Sequence, residues 1–178
     1  MSLEFVIILP MLVGCLIAAI EAIEAFRAGS QFDKVSFAIN DIMSRHDAVD
    51  DVDIQYLAAL RDKMLPVRIS STRLRITSIC FANEQYRVLW SFADEGEGSK
   101  GASSFHPLDD DTIPIGLMPT LKEQKSVILT EIEGEWNSPF GGIVTSQNRL
   151  RTALVVNPRF VEVIPHATLN DSNVCPTE

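Results

Sequence analysis

The first part of the chain most limits how it can fold. From Phe5 to Ile20 no residue carries a charge, and after Glu21 the apolar character resumes to Ile23. As one α-helix, residues 5–23 are about 28 Å long, close to the roughly 30 Å hydrocarbon thickness of a bilayer. Glu21 falls about one turn from the far end, where a carboxylate can reach the membrane interface. The segment therefore predicts a membrane-spanning helix.

Two other interpretations of this segment stay open. A cleaved signal peptide normally begins with a basic region, but no Lys or Arg precedes the apolar run, and the small triplet at residues 28–30 comes late. The second interpretation is a buried core helix, although a segment apolar on all sides is hard to bury in a small domain. Arg27 and Lys34 follow the run, so charge counting alone would place the C-terminal side in the cytoplasm.

Within the apolar run, Gly14, Ala18 and Ala22 recur every four residues. Such a small-residue row lets another helix approach closely, with ordinary membrane-helix residues as the open alternative. Pro10 removes one helical hydrogen bond and predicts a kink or a loosened turn. Glu4 directly precedes the run. Taken by itself, a carboxylate at this position is explained by its favourable interaction with the positive end of the helix dipole.

Apolar residues continue beyond the run at three- and four-residue spacing, which predicts one long helix with an amphipathic second half. They are Phe32, Val35, Ile39 and Ile42. Gly29, in a weakly patterned stretch between the halves, predicts a flexible joint. We expect a transmembrane helix at residues 1–26 and an α+β domain at residues 27–178, on a side of the membrane that the charges do not determine.

The rest of the chain predicts one short helix and four strands. They are a helix at 52–64 that Pro66 ends, a hairpin from Thr72 with a turn at Asn83 and Glu84, and strands at 125–136 and 153–164. Four strands can pair as an antiparallel sheet on the amphipathic half of the first helix. The predicted fold is α+β.

Surface features of this sheet also follow from the pattern. Glu131, Glu133 and Glu135 alternate with apolar residues, which predicts one solvated and one packed face. Pro158 predicts an edge position or a bulge for the last strand. Residues 94–104 are rich in Gly and Ser and predict an exposed loop, and residues 105–119 predict an extended surface segment.

Composition and spacing exclude several classes of function. Acidic residues outnumber basic ones 24 to 15, for a net charge of −9, and no basic stripe suits nucleic acid. The three histidines have no neighbouring ligand at metal spacing, and no nucleophile motif is present. We therefore predict no enzyme, no metal site and no cofactor.

The three cysteines divide into one within the apolar run and two outside it. Cys15 lies in the run, where packing explains it. Cys80 and Cys175 are the pair that could form a disulfide if the domain faces an oxidising compartment, and two free thiols are the alternative.

The opening of the chain resembles the TadE-like pseudopilins of the tight adherence (Tad/Flp) pilus system. The resemblance rests on an acid-aromatic pair, a proline within the membrane helix and an acid near its far end: Glu4, Phe5, Pro10 and Glu21. Residues 127–140 and 157–164 also resemble the family's C-terminal strands, whereas residues 45–120 match little beyond the general layout.

The resemblance implies a minor pilin-like subunit in the bacterial inner membrane or at the pilus, with a periplasmic C-terminal domain. Its partners would be other pilus or pseudopilin subunits, the assembly machinery and a prepilin peptidase. Glu4 would neutralise the amino terminus of a neighbouring subunit, and Glu4 with Phe5 would belong to the processing motif. In the family the cut follows a glycine five residues before the glutamate, and three residues precede Glu4 here, so a leader either is missing from this sequence or is not processed. A single-pass anchored binding domain that never enters a filament is the alternative.

Overall fold

A computed structural model gives the fold of the chain. It describes residues 2–95, 105–122, 125–141, 149–168 and Cys175, with only the backbone for residues 2–4, 6 and 95. Most of the Gly/Ser-rich segment predicted at residues 94–104 therefore lies outside the described residues.

The first helix, α1, runs unbroken from Ser2 to Ser44. At 1.5 Å per residue it is about 65 Å long, roughly twice the thickness of a bilayer core. The flexible joint predicted at Gly29 was wrong, because the helix continues through this residue. Ala28 and Phe32, on either side of it, are both buried against the sheet, and this packing holds the intervening turn in helical conformation.

A second helix, α2, covers Asp51–Met64, as the sequence predicted to within a residue. Asp50 caps it: the Asp53 backbone N–H donates to the Asp50 carboxylate at 2.7 Å, and the Asp50 N–H donates back to the Asp53 carboxylate at 3.3 Å. Near the other end, the fully buried Arg61 pairs with Asp94 at 2.9 Å. A capping box thus stabilises the first turn of this helix, and an ion pair stabilises its last turn.

Four antiparallel strands form one sheet, which confirms the predicted α+β fold. The strands are β1 (Ile69–Ala82), β2 (Gln85–Glu95), β3 (Lys125–Trp136) and β4 (Arg149–Val156), in the order β2-β1-β3-β4. Asn83 and Glu84 make the predicted hairpin turn between β1 and β2, with φ angles of 53° and 62°.

The predicted bounds of the last strand were wrong. We expected it at residues 153–164, but β4 begins four residues earlier, at Arg149, and ends at Val156. Pro158, which has no N–H to give a strand ladder, lies beyond the end of β4. The chain then folds over the end of the sheet, where the carbonyl of Glu162 accepts a hydrogen bond from the Ser126 N–H at 3.1 Å. β4 is nevertheless an edge strand, as expected.

The core lies between α1 and the inner face of the sheet. Its largest buried side chains on this side are Phe32, Ile39 and Met43 of α1 and Leu74, Ile76, Ile128 and Ile132 of the strands. One buried polar contact crosses it, from the Thr130 hydroxyl to the Asn40 side-chain oxygen at 3.0 Å. The amphipathic half of α1 is therefore an integral part of the domain.

A disulfide joins Cys80 of β1 to Cys175 near the end of the chain, which confirms the predicted pairing. The bridge closes a loop of 95 residues. In the chain-entropy account, a loop of this size stabilises the fold by about 4–5 kcal/mol. The bridge therefore fixes Cys175 to β1, one of the two central strands of the sheet.

The outer face of the sheet is not solvated, so the prediction of a wet glutamate face was wrong for two of its three residues. Glu131 and Glu133 are 1% and 6% exposed, whereas Glu135 is exposed. Arg75 forms a close ion pair with Glu131, and Arg151 reaches both glutamates, at 3.1 and 3.3 Å. These arginines come from both neighbouring strands, because β3 lies between β1 and β4.

Arg149 completes the charge cluster at the edge of the sheet. Its guanidinium lies 2.8 Å from the Glu133 carboxylate. This hydrogen bond, together with the negative charge of Glu133, raises the pKa of Arg149 above its ordinary value. Arg149 thus keeps its positive charge beside Glu133.

The segment at residues 105–122 covers part of the same face. It lies on the surface as predicted, but it contains two short 3₁₀ helices, Asp110–Thr112 and Ile115–Leu117, and it buries Phe105, Leu108 and Ile113. The Arg75 guanidinium stacks over the Phe105 ring at 5.0 Å. The domain is therefore three layers deep: helices, sheet and covering segment.

The contact of α1 with the sheet predicts opposite effects for two glycine substitutions. A Cβ added to Gly134 would lie 2.9 Å from Ile69 Cγ2 and 3.2 Å from Phe32 Cε2, whereas one added to Gly29 meets nothing within 4 Å. We expect Gly134→Ala to destabilise the protein by about 1–3 kcal/mol through overpacking. Gly29→Ala should stabilise it by about 0.5–1 kcal/mol through helix propensity. Denaturant unfolding in detergent, followed by tryptophan fluorescence, measures both; equal effects would contradict the close packing.

The charge cluster predicts that two glutamates on the same strand and face differ strongly. Glu131→Gln leaves Arg75 without its buried counter-charge and should cost about 2–3 kcal/mol, a value reduced by the exposure of Arg151. Glu135→Gln is the matched control and should stay within about 0.5 kcal/mol. The same unfolding experiment tests the pair. If Glu131→Gln left the free energy of unfolding unchanged, the buried ion pairs would make no net contribution to stability.

Candidate functional site

The first half of α1 extends beyond the domain and is exposed. Phe5, Met11 and Leu12 are 67%, 72% and 60% exposed, and no described side chain from residue 5 to residue 20 is buried. Within the described part of the chain, α1 is the one helix long and apolar enough to cross a membrane. This finding fits a single-pass anchor, because such a long apolar surface is unfavourable in water.

The structure places the predicted site residues along this exposed half. Glu4 lies in the first turn of α1 with its side chain outside the described part of the chain, and Phe5 follows with its ring exposed. Gly14 and Ala22 are exposed and Ala18 is half-buried. A Cβ added to Gly14 meets nothing within 4 Å. The small-residue row is therefore open to a neighbour, and its role in helix packing stays a prediction.

Glu21 has a position that the sequence did not predict. We expected it in the membrane helix, with the domain beginning at residue 27, but its side chain is 0% exposed in contact with the domain. The Ser138 hydroxyl donates a hydrogen bond to Glu21 Oε1 at 2.5 Å. The domain therefore meets the helix more than a turn earlier than expected, and the free apolar segment ends just before Glu21.

The spacing of buried residues on α1 contains a signal for this contact. Buried or partly buried residues follow Glu21 at intervals of four and three: Ala25, Ala28, Phe32, Val35 and Ile39. Glu21 is the first member of that row, so helical periodicity aligns it with the sheet. Sequence analysis missed the contact because a carboxylate next to an apolar run was assigned to the membrane interface.

The segment after β3 is built to hold Ser138 in place. The Asn137 N–H donates to the Arg68 carbonyl at 2.8 Å, and its side-chain amide donates to the Ser70 hydroxyl at 2.9 Å. The Ser138 oxygen also accepts a hydrogen bond from the Phe140 N–H at 3.2 Å. The Ser138 hydroxyl thus accepts one hydrogen bond from a backbone N–H and donates one to the Glu21 carboxylate.

Two of the three histidines make contacts within the domain, and the third, His106, is exposed. His46 Nδ1 lies 2.9 Å from the Ile42 carbonyl, and His166 lies 3.3 Å from Asp51 and beside the Trp90 ring. Among the described residues, no group of three or more His, Cys, Asp or Glu side chains could hold a metal ion. The contact between Glu21 and Ser138, which we call the junction, instead links the apolar half of α1 to the domain. It fixes the direction of this half relative to the domain.

The junction predicts energetic coupling between Glu21 and Ser138. In a double-mutant cycle of Glu21→Leu and Ser138→Ala, we expect a coupling energy of about 1–3 kcal/mol, because the hydrogen bond is buried and charged. Asp33 and Thr152, joined at 2.8 Å on the exposed side of α1, form the matched control cycle, with coupling within about 0.5 kcal/mol. Unfolding in detergent measures both cycles. Equal coupling energies in the two cycles would mean that the buried Glu21–Ser138 hydrogen bond is no stronger than an exposed one.

Comparisons with known protein families, curated proteins and solved structures found no match to this chain.

Proposed function

We propose that this chain is a minor pilin-like subunit, a TadE-like pseudopilin, that takes part in assembling an adhesive pilus of the Tad/Flp type. The observation that carries the proposal is the division of α1. One unbroken helix has an uncovered apolar first half and a second half packed on a four-stranded antiparallel sheet. Lipid would cover the first half before assembly and neighbouring helices would cover it afterwards.

Glu4 is the residue proposed to direct this exchange. A carboxylate in hydrocarbon is costly unless an opposite charge lies beside it, and the attraction of such a pair is strong where the dielectric is low. The partner would be the amino terminus of a neighbouring subunit, freed by a prepilin peptidase. The open surface at Gly14 supports close approach of that subunit, because an added Cβ there meets nothing.

The disulfide supports an extracytoplasmic position for the domain. Bridges such as Cys80–Cys175 persist in oxidising compartments, which include the bacterial periplasm. We therefore propose that α1 anchors the subunit in the inner membrane, with the domain in the periplasm until assembly. The other pilus subunits and the assembly machinery are its proposed partners.

A second candidate, a membrane-anchored binding domain that never enters a filament, has one observation in its favour. An open groove of about 500 Å³ lies at the end of the sheet farthest from the apolar helix segment. Lys122, Lys125 and Arg159 line it together with Phe160, whose ring is 70% exposed. A ligand seated there would leave the first half of α1 free of any role beyond anchoring.

Substitution of Glu4 tests the two candidates against each other. We expect Glu4→Gln to abolish surface pili without changing the amount of protein in the membrane, because the neutral side chain cannot pair with an incoming amine. Glu24→Gln is the matched control, since Glu24 lies on the same helix in a solvent-exposed pair with Arg27, and it should leave piliation intact. Electron microscopy and immunoblots of sheared pili and membranes provide the measurements.

One outcome of this experiment would contradict the pseudopilin proposal, and two others would remove the evidence for a specific assembly role of Glu4. Normal piliation with Glu4→Gln would mean that the carboxylate has no assembly role, and the anchored binding domain would then be favoured. Equal loss with Glu24→Gln would mean that any charge removal near the helix disturbs the protein. Reduced abundance of Glu4→Gln would assign the defect to stability.

A further inference from the structure

The level at which α1 leaves the membrane can be read from the contact at Glu21. Before Glu21 in the chain, the described side chains of α1 are apolar and none is buried. Glu21 itself is buried against Ser138. The apolar segment before Glu21, residues 5–20, is about 24 Å long against a bilayer core of roughly 30 Å, so Ser138 would lie near one surface of a bilayer that this segment crosses. The turn at residues 137–141 is therefore the part of the sheet nearest the lipid.

A second turn lies at the same level. β1 and β3 pair Ile69 with Trp136, so the residues before β1 lie beside the residues after β3. The hydrogen bond from the Asn137 N–H to the Arg68 carbonyl continues this pairing by one step. The turn between α2 and β1, at residues 65–68, thus stands next to the turn that holds Ser138. We call these two turns, together with Lys63 and Met64, the base of the domain.

The base presents apolar side chains outward, with cations beside them. Val67 is fully exposed, at 102%, and Met64 and Phe140 are 43% and 39% exposed. Lys63 and Arg68 are also exposed there, in a chain whose net charge is −9. Isolated apolar side chains are common on protein surfaces, but these three lie at the level where the helix enters lipid. Apolar tips beside long cationic side chains are the composition that suits a lipid headgroup layer.

The same level of α1 has a matching surface. Ile23 and Phe26 are 53% and 80% exposed, and Arg27 follows with its guanidinium exposed. Aromatic rings and arginines are enriched where membrane helices cross the headgroup region. The helix and the base therefore show the same combination of groups within one or two turns of Glu21.

We infer that the base of the domain lies in the headgroup layer of the bilayer that α1 crosses, with Val67 and Phe140 inserted among the lipids and Lys63 and Arg68 on their phosphates. The subunit is then held by a second contact besides its helix. This inference concerns the protein in the membrane before any assembly, and it requires only that α1 spans the bilayer.

Nitroxide labels at single sites test the inference on the full chain. In a Cys15→Ala background, which leaves the Cys80–Cys175 bridge intact, Val67→Cys and Phe140→Cys are labelled separately. The protein is reconstituted in vesicles of phosphatidylethanolamine and phosphatidylglycerol. Power saturation compares collisions with oxygen, which concentrates in lipid, and with a water-soluble nickel chelate. We expect an oxygen-to-nickel ratio several-fold higher at both sites than at a distal control.

Phe160→Cys supplies the distal control. Phe160 is 70% exposed, and its neighbour Arg159 donates a backbone hydrogen bond to the Ser44 carbonyl at the far end of α1, about 35 Å along the helix from Glu21. Equal ratios at all three sites would overturn the inference and place the base in water. A high ratio that is unchanged when Lys63 and Arg68 are both replaced by Gln would support the apolar insertion and overturn the contact assigned to these two cations. Both results are independent of whether the chain enters a pilus.

Discussion

The packing of α1 on the centre of the sheet determines the position of everything else in this protein. Phe32 contacts the sheet beside Gly134, where the absence of a side chain lets the helix approach closely. Because α1 is a single helix from Ser2 to Ser44, fixing its second half on the sheet also fixes the direction of its first half. An anchored domain with a flexible joint could tilt freely over the membrane. With a continuous helix, a tilt of the domain must move the transmembrane segment as well.

The outer face of the sheet shows a second constraint, which is charge. Four arginines, Arg73, Arg75, Arg149 and Arg151, surround two buried carboxylates, Glu131 and Glu133. A carboxylate covered by protein is costly without such partners, so β3 can carry glutamates only between two strands that supply arginines. The pairing therefore favours the order β1-β3-β4 over other arrangements of the same strands.

Periodicity made much of this fold predictable from the sequence. The row from Phe32 to Ile39 identified the helix face that packs on the sheet, and alternation in β3 separated its glutamates from the packed apolar face. The burial of Glu131 was not predictable in this way, because it depends on arginines from two other strands and on the covering segment at residues 105–122, whose pattern is weak. Glu21 was misplaced for a related reason: its partner, Ser138, is far away in sequence. Glu4 and the small-residue row could be named from sequence, but their roles concern neighbours outside this chain.

The two proposals for this protein oppose one another energetically. If the base rests among lipid headgroups, a subunit that leaves the membrane must expose Val67 and Phe140 to water, at about 1–3 kcal/mol for each fully inserted side chain. The Glu21–Ser138 contact prevents the domain from staying behind while the helix moves, since it ties both to one level. Helix, junction and base must therefore leave the bilayer together. If the subunit enters a pilus as proposed, contacts with neighbouring subunits have to offset the lost lipid contacts along the helix and at the base. Extraction of a single subunit into water would then be unfavourable.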